Sequence, residues 1–289
     1  MRRCVLLLPG DLDTPSGGYR YDRRVVQGLR ERGWRVDILS LPGAWPVPDA
    51  SALAHAEAAV VALPDETPVI ADGLAFGALP ETAARHARRL RWVALVHHPL
   101  GLETGLGAAR AAALLRDERR ALAAARHIVV TGEATAGLLQ RLGMAAGASE
   151  ASQASQASEA TEASEAKEAT EVTARLTVIE PGCDLPALPE QRRAAQGPLQ
   201  LLCVASVTAR KGHRVLLEAL APLRGLPWEL HCVGSLTMDP ATAAAARDSA
   251  RTLGLHERVH WHGAAEAVAL PAHYARADLF VLPSLFEGY

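Results

Sequence analysis

Residues 201–220, LLCVASVTARKGHRVLLEAL, combine an apolar run, a basic turn and an amphipathic segment. The run LLCVA is unbroken, which is typical of a parallel strand that is covered on both faces. A helix is predicted after Gly212 because one apolar stripe has helical spacing: Val215, Leu216 and Leu220. The stretch therefore predicts a strand, a turn and a helix.

The turn carries two cations, Arg210 and Lys211, directly before the predicted helix. The start of a helix is the positive end of its dipole, where cations are disfavoured by roughly 0.3 to 1 kcal/mol unless an anion is present. The spacing fits a phosphate-binding turn and a solvated basic turn equally well. We therefore leave both interpretations open at this point.

The rest of the chain alternates short apolar strands with helices. The first half reads CVLLLP, a loop with Gly17 and Gly18, a helix, DILSL, PVIAD, WVALV and HIVV. The alternation returns after residue 198 with WELHCV, RVHWH and DLFVLP. This pattern predicts an α/β fold with two Rossmann-like domains, each a doubly wound parallel sheet.

Composition indicates a soluble, cytoplasmic chain of two ordinary domains. The 289 residues are 49% hydrophobic and carry a net charge of -2, which does not suggest a nucleic-acid partner. The first apolar run is too short for a signal peptide or a membrane span. Four dispersed cysteines form no pair, so we interpret them as reduced core residues: Cys4, Cys183, Cys203 and Cys232.

Two histidines, His97 and His98, follow the predicted strand WVALV. Ligands of doubly wound sheets bind at the carboxyl ends of the strands, which favours a site here. A strand-end histidine satisfied by backbone hydrogen bonds fits the pattern as well. Glu103 and Glu118 are weaker candidates, and Glu118 lies among charged side chains that we expect to be solvated.

Residues 147–173 consist almost entirely of Ala, Ser, Thr, Glu and Gln in repeated triplets. Alanine at every third position drifts around a helix of 3.6 residues per turn, so no apolar face forms. We interpret this low-complexity segment as a flexible or transiently helical surface insertion that serves as a solvated spacer. An acidic interaction arm is the alternative.

Four motifs resemble those of the family 4 glycosyltransferases, which have the GT-B fold. VASVTARKGHRVLLEAL resembles their donor-site turn, and the S-G-G of the first loop resembles their Gly-Gly loop. RLTVIEPGCD is similar to the run that joins their two domains. The ending PSLFEGY is similar to the beginning of their E-x7-E segment. The resemblance implies the GT-B fold and transfer from a nucleotide sugar.

The resemblance assigns the diphosphate of the donor to the basic turn. In the family, an Arg and the Lys of this turn hold that diphosphate, and Lys211 matches the Lys. Ser206 stands at the place of the first Arg, so this chain departs from the pattern there. Arg210 also belongs to the implied donor site.

The resemblance places the sugar at other residues. His97 matches a family histidine that contacts the donor sugar near the reacting carbon. Glu287 matches a glutamate that contacts the same sugar, and Gly288 precedes amides that face the diphosphate. Gly17 and Gly18 match the loop that closes over donor and acceptor.

These motifs divide the chain into three parts. Residues 1–183 form an N-terminal acceptor-side domain that contains the insertion 147–173, and residues 184–198 form the interdomain linker. Residues 199–289 form a partial nucleotide-sugar-binding domain. We expect this domain to be incomplete and the 289-residue chain to have impaired activity, because the family's second Glu lies beyond Tyr289.

The implied function is a retaining glycosyltransferase that moves a sugar from a nucleotide-diphosphate sugar to an acceptor hydroxyl. It needs no cofactor, no metal and no protein nucleophile, and peripheral membrane association is left open. Two alternatives remain: a non-catalytic nucleotide-sugar-binding or partner subunit, and another GT-B enzyme such as a sugar-nucleotide epimerase, whose acid and base residues the sequence does not identify.

Overall fold

The computed structural model describes residues 2–14, 16–145, 175–182, 197–266 and 268–287. These residues form two compact units, one within residues 1–182 and one within residues 183–287. The predicted insertion lies outside the described residues, as do Cys183, Gly288 and residues 184–196 of the predicted linker.

The first unit alternates strands and helices along the chain. Its elements are β1 (Arg3–Pro9), α1 (Gly17–Glu31), β2 (Arg35–Leu41), α2 (Ala50–Val61), β3 (Pro68–Asp72), α3 (Gly73–Phe76), α4 (Pro80–His86), β4 (Arg91–Val96), α5 (Ala108–Leu122), β5 (His127–Val130), α6 (Glu133–Arg141) and β6 (Arg175–Val178). All six strands pair in parallel, in the order β2-β1-β3-β4-β5-β6.

Strand β1 shows why the sequence forms this sheet. Leu6 and Leu8 pack into one apolar cluster, whereas Val5 and Leu7 pack into another on the opposite face. A strand whose two faces are both buried needs an unbroken apolar run, which CVLLL supplies. The strand order reverses between β1 and β3, so the loops after β1, β3 and β4 meet at one edge of the sheet.

The second unit repeats the pattern with a smaller sheet. Its elements are β7 (Leu199–Val204), α7 (His213–Leu220), β8 (Trp228–Val233), α8 (Pro240–Thr252), β9 (Val259–Gly263), α9 (Leu270–Arg276) and β10 (Leu279–Phe280). The strands are parallel, in the order β10-β7-β8-β9. The order reverses between β10 and β7, so the segments that follow these two strands are neighbours at the switch point.

The predicted fold class, two doubly wound parallel-sheet domains, is confirmed, but one detail of helix α7 was wrong. Val215 is 44% exposed and does not belong to the buried stripe. The buried residues follow the spacing i, i+3, i+4, i+7 that one helix face requires: His213, Leu216, Leu217 and Leu220. Leu217 thus occupies the place that the prediction gave to Val215.

The described cysteines are buried, as predicted. Cys4, Cys203 and Cys232 are buried and unpaired, as expected for core residues. Within the described part of the chain, no helix has the length and apolar character needed to cross a membrane.

Candidate functional site

The basic turn of the second unit lies between β7 and α7. Residues Ala209–Lys211 form one turn of 3-10 helix, and Gly212 then takes a left-handed conformation with φ of 65° before α7 begins. A Cβ atom on Gly212 would lie 2.0 Å from the carbonyl oxygen of Pro283. Only glycine fits here, because both the positive φ and the close backbone approach exclude a side chain.

The basic turn forms hydrogen bonds with residues 285–287. The Nζ of Lys211 lies 2.6 Å from Oε1 of Glu287, and Nη1 of Arg210 donates to the carbonyl of Phe286 at 2.9 Å. The amide of Leu285 donates to the carbonyl of Arg210 at 2.8 Å. Residues that are 76 positions apart in the sequence thus form one charged group at the start of α7.

The charges of this group are partly open to solvent. Burial alone would raise the pKa of Glu287, but the hydrogen bond from Lys211 and the charges of Lys211 and Arg210 hold that pKa below its ordinary value. The side chains of Lys211 and Glu287 are 20% and 32% exposed. Two cations and one carboxylate leave a net positive charge at the helix start, which favours a further anion.

His97 lies at the carboxyl edge of the first sheet, directly after β4. Its Nε2 is 3.2 Å from Oδ1 of Asp22 and 3.7 Å from Oδ2 of Asp72. Asp22 lies on α1 and is fully buried, and Asp72 ends β3 with 3% exposure. The imidazole therefore stands between two buried carboxyl groups and has 24% of its side chain exposed.

The charge of Asp22 acts on the pKa values of both His97 and Asp72. Burial alone would lower the pKa of His97, but the hydrogen bond and the charge of Asp22 outweigh burial and raise it. Burial, followed by the charge of Asp22, raises the pKa of Asp72. An imidazole between buried carboxyl groups with shifted pKa values is an arrangement common at functional sites.

The loop after β1 closes on the same histidine. A Cβ atom on Gly18 would lie 3.2 Å from Cδ2 of His97, whereas one on Gly17 would have no atom within 4 Å. Tyr21 presents its ring edge-on to His97 with 5.5 Å between the ring centroids. Gly18 therefore gives the imidazole room that a larger residue would take away.

These arrangements can be compared with known proteins. Residues 198–289 match the model of the family described as Glycosyl transferases group 1. The matched range covers the second unit, including the basic turn and Glu287. No curated protein sequence matches the chain.

Solved structures resemble almost the whole chain. Sucrose-phosphate synthase from Thermosynechococcus elongatus has a TM-score of 0.69 at 18% identity, with 99% of this chain and 77% of that one covered. The lipopolysaccharide outer core galactosyltransferase WaaB has a TM-score of 0.59 at 13% identity, with coverage of 99% and 75%. Anabaena HepE in complex with UDP has a TM-score of 0.57 at 14% identity, with coverage of 98% and 74%.

At these identities the likeness shows the fold, which is GT-B. Together with the family match, it supports a GT-B glycosyltransferase. The roles that the resemblance gave to individual residues stay predictions. Gly288, one of the predicted donor residues, lies outside the described residues.

The other two candidate site residues, Ser206 and His98, lie in different surroundings. Ser206 is half-buried between the end of β7 and the basic turn. It adjoins a close backbone approach, because a Cβ atom on Gly234 would lie 2.7 Å from the amide nitrogen of Ser206. His98 is outside the group formed by Asp22, Asp72 and His97.

Of the weaker carboxylate candidates, Glu103 is exposed, but the expectation for Glu118 was wrong. Glu118 is not solvated: it is 1% exposed and accepts a hydrogen bond from the amide of Leu100. Residues Leu114, Ala121 and Leu122 share its buried face of α5. The burial of Glu118 is determined by its position on this face of α5 and not by the charges of its neighbours in the sequence.

Sequence reasoning missed the two aspartates that flank His97. Asp72 ends β3 at the same edge at which His97 follows β4, so the strand-end rule that selected His97 would have selected Asp72 too. Asp22 lies four residues after Gly18 and four before Val26 on α1, which is helical spacing. That spacing would have placed its carboxyl on the buried face.

Two groups of described side chains have donor atoms close enough to hold a metal ion, although the sequence predicted no metal site. Asp22, Asp72 and His97 form one group. Glu229, His231 and His260 form the other, on the second sheet.

Proposed function

We propose that the protein is a retaining, family 4-like glycosyltransferase that moves a sugar from a nucleoside-diphosphate sugar to an acceptor hydroxyl. The observation that carries this proposal is the ion-paired group of Lys211, Arg210 and Glu287 at the start of α7. It lies within the range that matches the glycosyltransferase group 1 model. Anabaena HepE is in complex with UDP, so UDP-sugars are the first donors to test.

In the proposed reaction, the bond between the anomeric carbon and the diphosphate oxygen breaks, and the acceptor oxygen bonds to the same face of that carbon. The acceptor proton passes to the departing diphosphate. Negative charge grows on the diphosphate as the bond breaks, so Lys211, Arg210 and the amides at the start of α7 stabilise the transition state more than the bound donor.

Glu287 has two roles in this proposal. Its carboxylate fixes the Lys211 ammonium at 2.6 Å, which orients the cation before the donor arrives. Its 32% exposed side chain can also accept hydrogen bonds from sugar hydroxyls.

His97 is the residue that we propose to position the sugar. A hydrogen bond to Asp22 and edge contact with Tyr21 restrict its ring, and Gly18 leaves space beside it. Fixed geometry of this kind accelerates a reaction between two bound groups.

A sugar-nucleotide epimerase is the second candidate, because one observation favours it. The epimerase needs paired acid and base groups, and Asp72 and His97 form such a pair. A non-catalytic donor-binding subunit is the third candidate, favoured by Ser206 in place of a cation.

A mass-spectrometric screen tests these candidates. The protein is incubated with a panel of sugar nucleotides, first UDP-sugars, and with cell extract as the source of acceptors. We expect nucleoside diphosphate release and a glycosylated product whose anomeric configuration, measured by NMR, equals that of the donor.

Two variants complete the screen. Lys211→Ala should lower the transfer rate at least tenfold, whereas Arg214→Ala removes a 74% exposed charge from the same helix and should leave the rate unchanged. An isomerised but uncleaved donor would establish the epimerase, and donor binding without turnover would establish the non-catalytic subunit.

A further inference from the structure

A group of histidines lies on the second sheet, separate from the basic turn. His231 on β8 pairs in register with His260 on β9, and their rings stack with 4.8 Å between centroids. Glu229 precedes His231 by two positions, so both side chains lie on the same face of the sheet. The residues that alternate with them, Leu230 and Val259 among others, belong to the apolar core on the opposite face.

Three of these side chains converge on one point. Oε2 of Glu229 is 3.8 Å from Nε2 of His231 and 3.8 Å from Nε2 of His260. All three donor atoms lie within 4.8 Å of one another. Ligand atoms at bond lengths of about 2.1 Å around a tetrahedral ion are about 3.4 Å apart, so small side-chain rotations bring these atoms to bonding distance.

One of the donor atoms lacks a hydrogen bond. Nε2 of His260 is buried, and no described residue gives it a hydrogen-bond partner. The carboxylate of Glu229 at 3.8 Å is too far for a hydrogen bond but close enough to share a cation. A metal ion between the two would satisfy both groups.

Neighbouring side chains already orient the other donors. Nδ1 of His231 lies 2.9 Å from Nε2 of His262, and its Nε2 lies 2.8 Å from Oε1 of Gln200. The amide of Gln200 donates to Oε2 of Glu229 at 3.3 Å. Histidine ligands of metals commonly hold their second nitrogen in such a hydrogen bond, which fixes the ring and its tautomer.

The proton balance of metal binding follows from these contacts. The Gln200 oxygen can only accept, so Nε2 of His231 carries the proton in the metal-free protein and Nδ1 accepts from His262. On metal binding, the lone pair of Nε2 of His231 faces the ion in place of the hydrogen bond to Gln200, and the Nε2 proton moves to Nδ1. Nδ1 then donates to Nε2 of His262, whose own proton moves to Nδ1 of His262, so the pair neither gains nor loses a proton. The histidine pair thus permits the change of tautomer without loss of its hydrogen bond.

We propose that Glu229, His231 and His260 form a binding site for a divalent transition-metal ion, Zn²⁺ in the first instance, with water at the open position. Two imidazoles and one carboxylate form a donor set that zinc accepts. The ion would join β8 to β9, and the site shares no residue with the basic turn of the proposed donor site.

Cobalt and zinc titrations of the full 289-residue protein, with any affinity tag removed, test the site. We expect one equivalent of Co²⁺ to produce visible d–d absorption bands that Zn²⁺ abolishes. His260→Ala and the shape-conserving Glu229→Gln should each weaken binding at least tenfold. His256→Ala, a change at an exposed histidine just before β9, should leave binding unchanged.

Three results would overturn the proposal. The first is the absence of saturable metal binding, and the second is equal binding by wild type and both ligand variants. The third is loss of binding in a His97→Ala variant, because that result would locate the ion at the group in the first unit. Circular dichroism verifies that His260→Ala folds, and Glu229→Gln keeps the test decisive if it does not. Nucleotide binding is not measured, so this result is independent of the proposed function.

Discussion

Replacement of the buried Glu118 by Gln should make the stability of the protein less dependent on pH. Oε2 of Glu118 accepts a hydrogen bond of 2.9 Å from the amide of Leu100, three residues after His97. Oε1 is buried and has no hydrogen-bond partner among the described residues. Glu118 therefore anchors the segment that follows His97, and none of the described residues supplies a counter-charge.

The size of the expected pH effect on stability follows from the pKa of Glu118. Burial raises the pKa of Glu118 from its ordinary value of 4.5 to about 8, although the Leu100 hydrogen bond opposes the shift. Because folding raises the pKa, the stability linked to this group is complete below pH 4.5 and is lost as the pH rises through about 8. One pH unit corresponds to about 1.4 kcal/mol, so the loss between pH 5 and pH 8 is about 4 kcal/mol.

Thermal unfolding at pH 5, 6.5 and 8 measures this effect. The wild type should lose about 10 °C more than Glu118→Gln across that range, at about 2 to 4 °C per kcal/mol. The buried amide of Gln lacks a partner and costs about 1 to 3 kcal/mol at every pH, so the slope and not the offset is the test. Glu180→Gln, at an exposed position, should follow the wild type. Parallel curves for wild type and Glu118→Gln would refute the argument.

Three further predictions concern the site and the insertion. Gly18→Ala should displace the ring of His97, which would lie 3.2 Å from the new Cβ, and should lower kcat/KM about tenfold. Unchanged NMR shifts of His97 and an unchanged kcat/KM would contradict this prediction. Gly17→Ala is the control for an effect on helix stability. Ser206→Arg should tighten nucleoside diphosphate binding severalfold in a calorimetric titration, since it restores a charge-assisted hydrogen bond, and weaker or equal binding would show that the position does not face the phosphates. Replacing residues 147–173 with a short Gly-Ser loop should leave Tm nearly unchanged, because closure entropy varies slowly with loop length; a fall of more than about 5 °C would show that the segment packs.

Local sequence patterns predicted the strands well, since a segment buried on both faces must be an unbroken apolar run, as in residues 4–8 of β1 and 201–204 of β7. The strand pattern located His97 at a strand end, and the helical spacing after Gly212 located Lys211 before a helix. Both predictions depend only on residues that are adjacent in the chain. The order of strands in each sheet has no local signal and came only from the structure.

The remainder of the site depends on long-range pairing. Asp22 and His97 are 75 residues apart, and Lys211 and Glu287 are 76 apart. Such contacts follow from strand order and register, and one register step turns every side chain of a strand to the other face. Glu118 was misjudged for a different reason, because its charged neighbours concealed the buried face of α5.

The register argument applies also to the histidines of the second sheet. His231 and His260 are 29 positions apart and form one group only because β8 and β9 pair in a specific register. The sequence shows histidines on separate strands, and their spacing matches no metal motif. Convergence on Glu229 is visible only in three dimensions.

The proposed function requires the basic turn to bind the diphosphate of a sugar nucleotide. Calorimetric titration of UDP, followed by other nucleoside diphosphates, into wild type, Lys211→Ala and Arg214→Ala tests it most directly. Loss of one charge-assisted hydrogen bond costs about 1.5 to 3 kcal/mol, so Lys211→Ala should bind roughly 10- to 150-fold more weakly than wild type, and Arg214→Ala should bind equally. If no nucleoside diphosphate binds the wild type, or if Lys211→Ala binds as tightly, the basic turn is not a donor site.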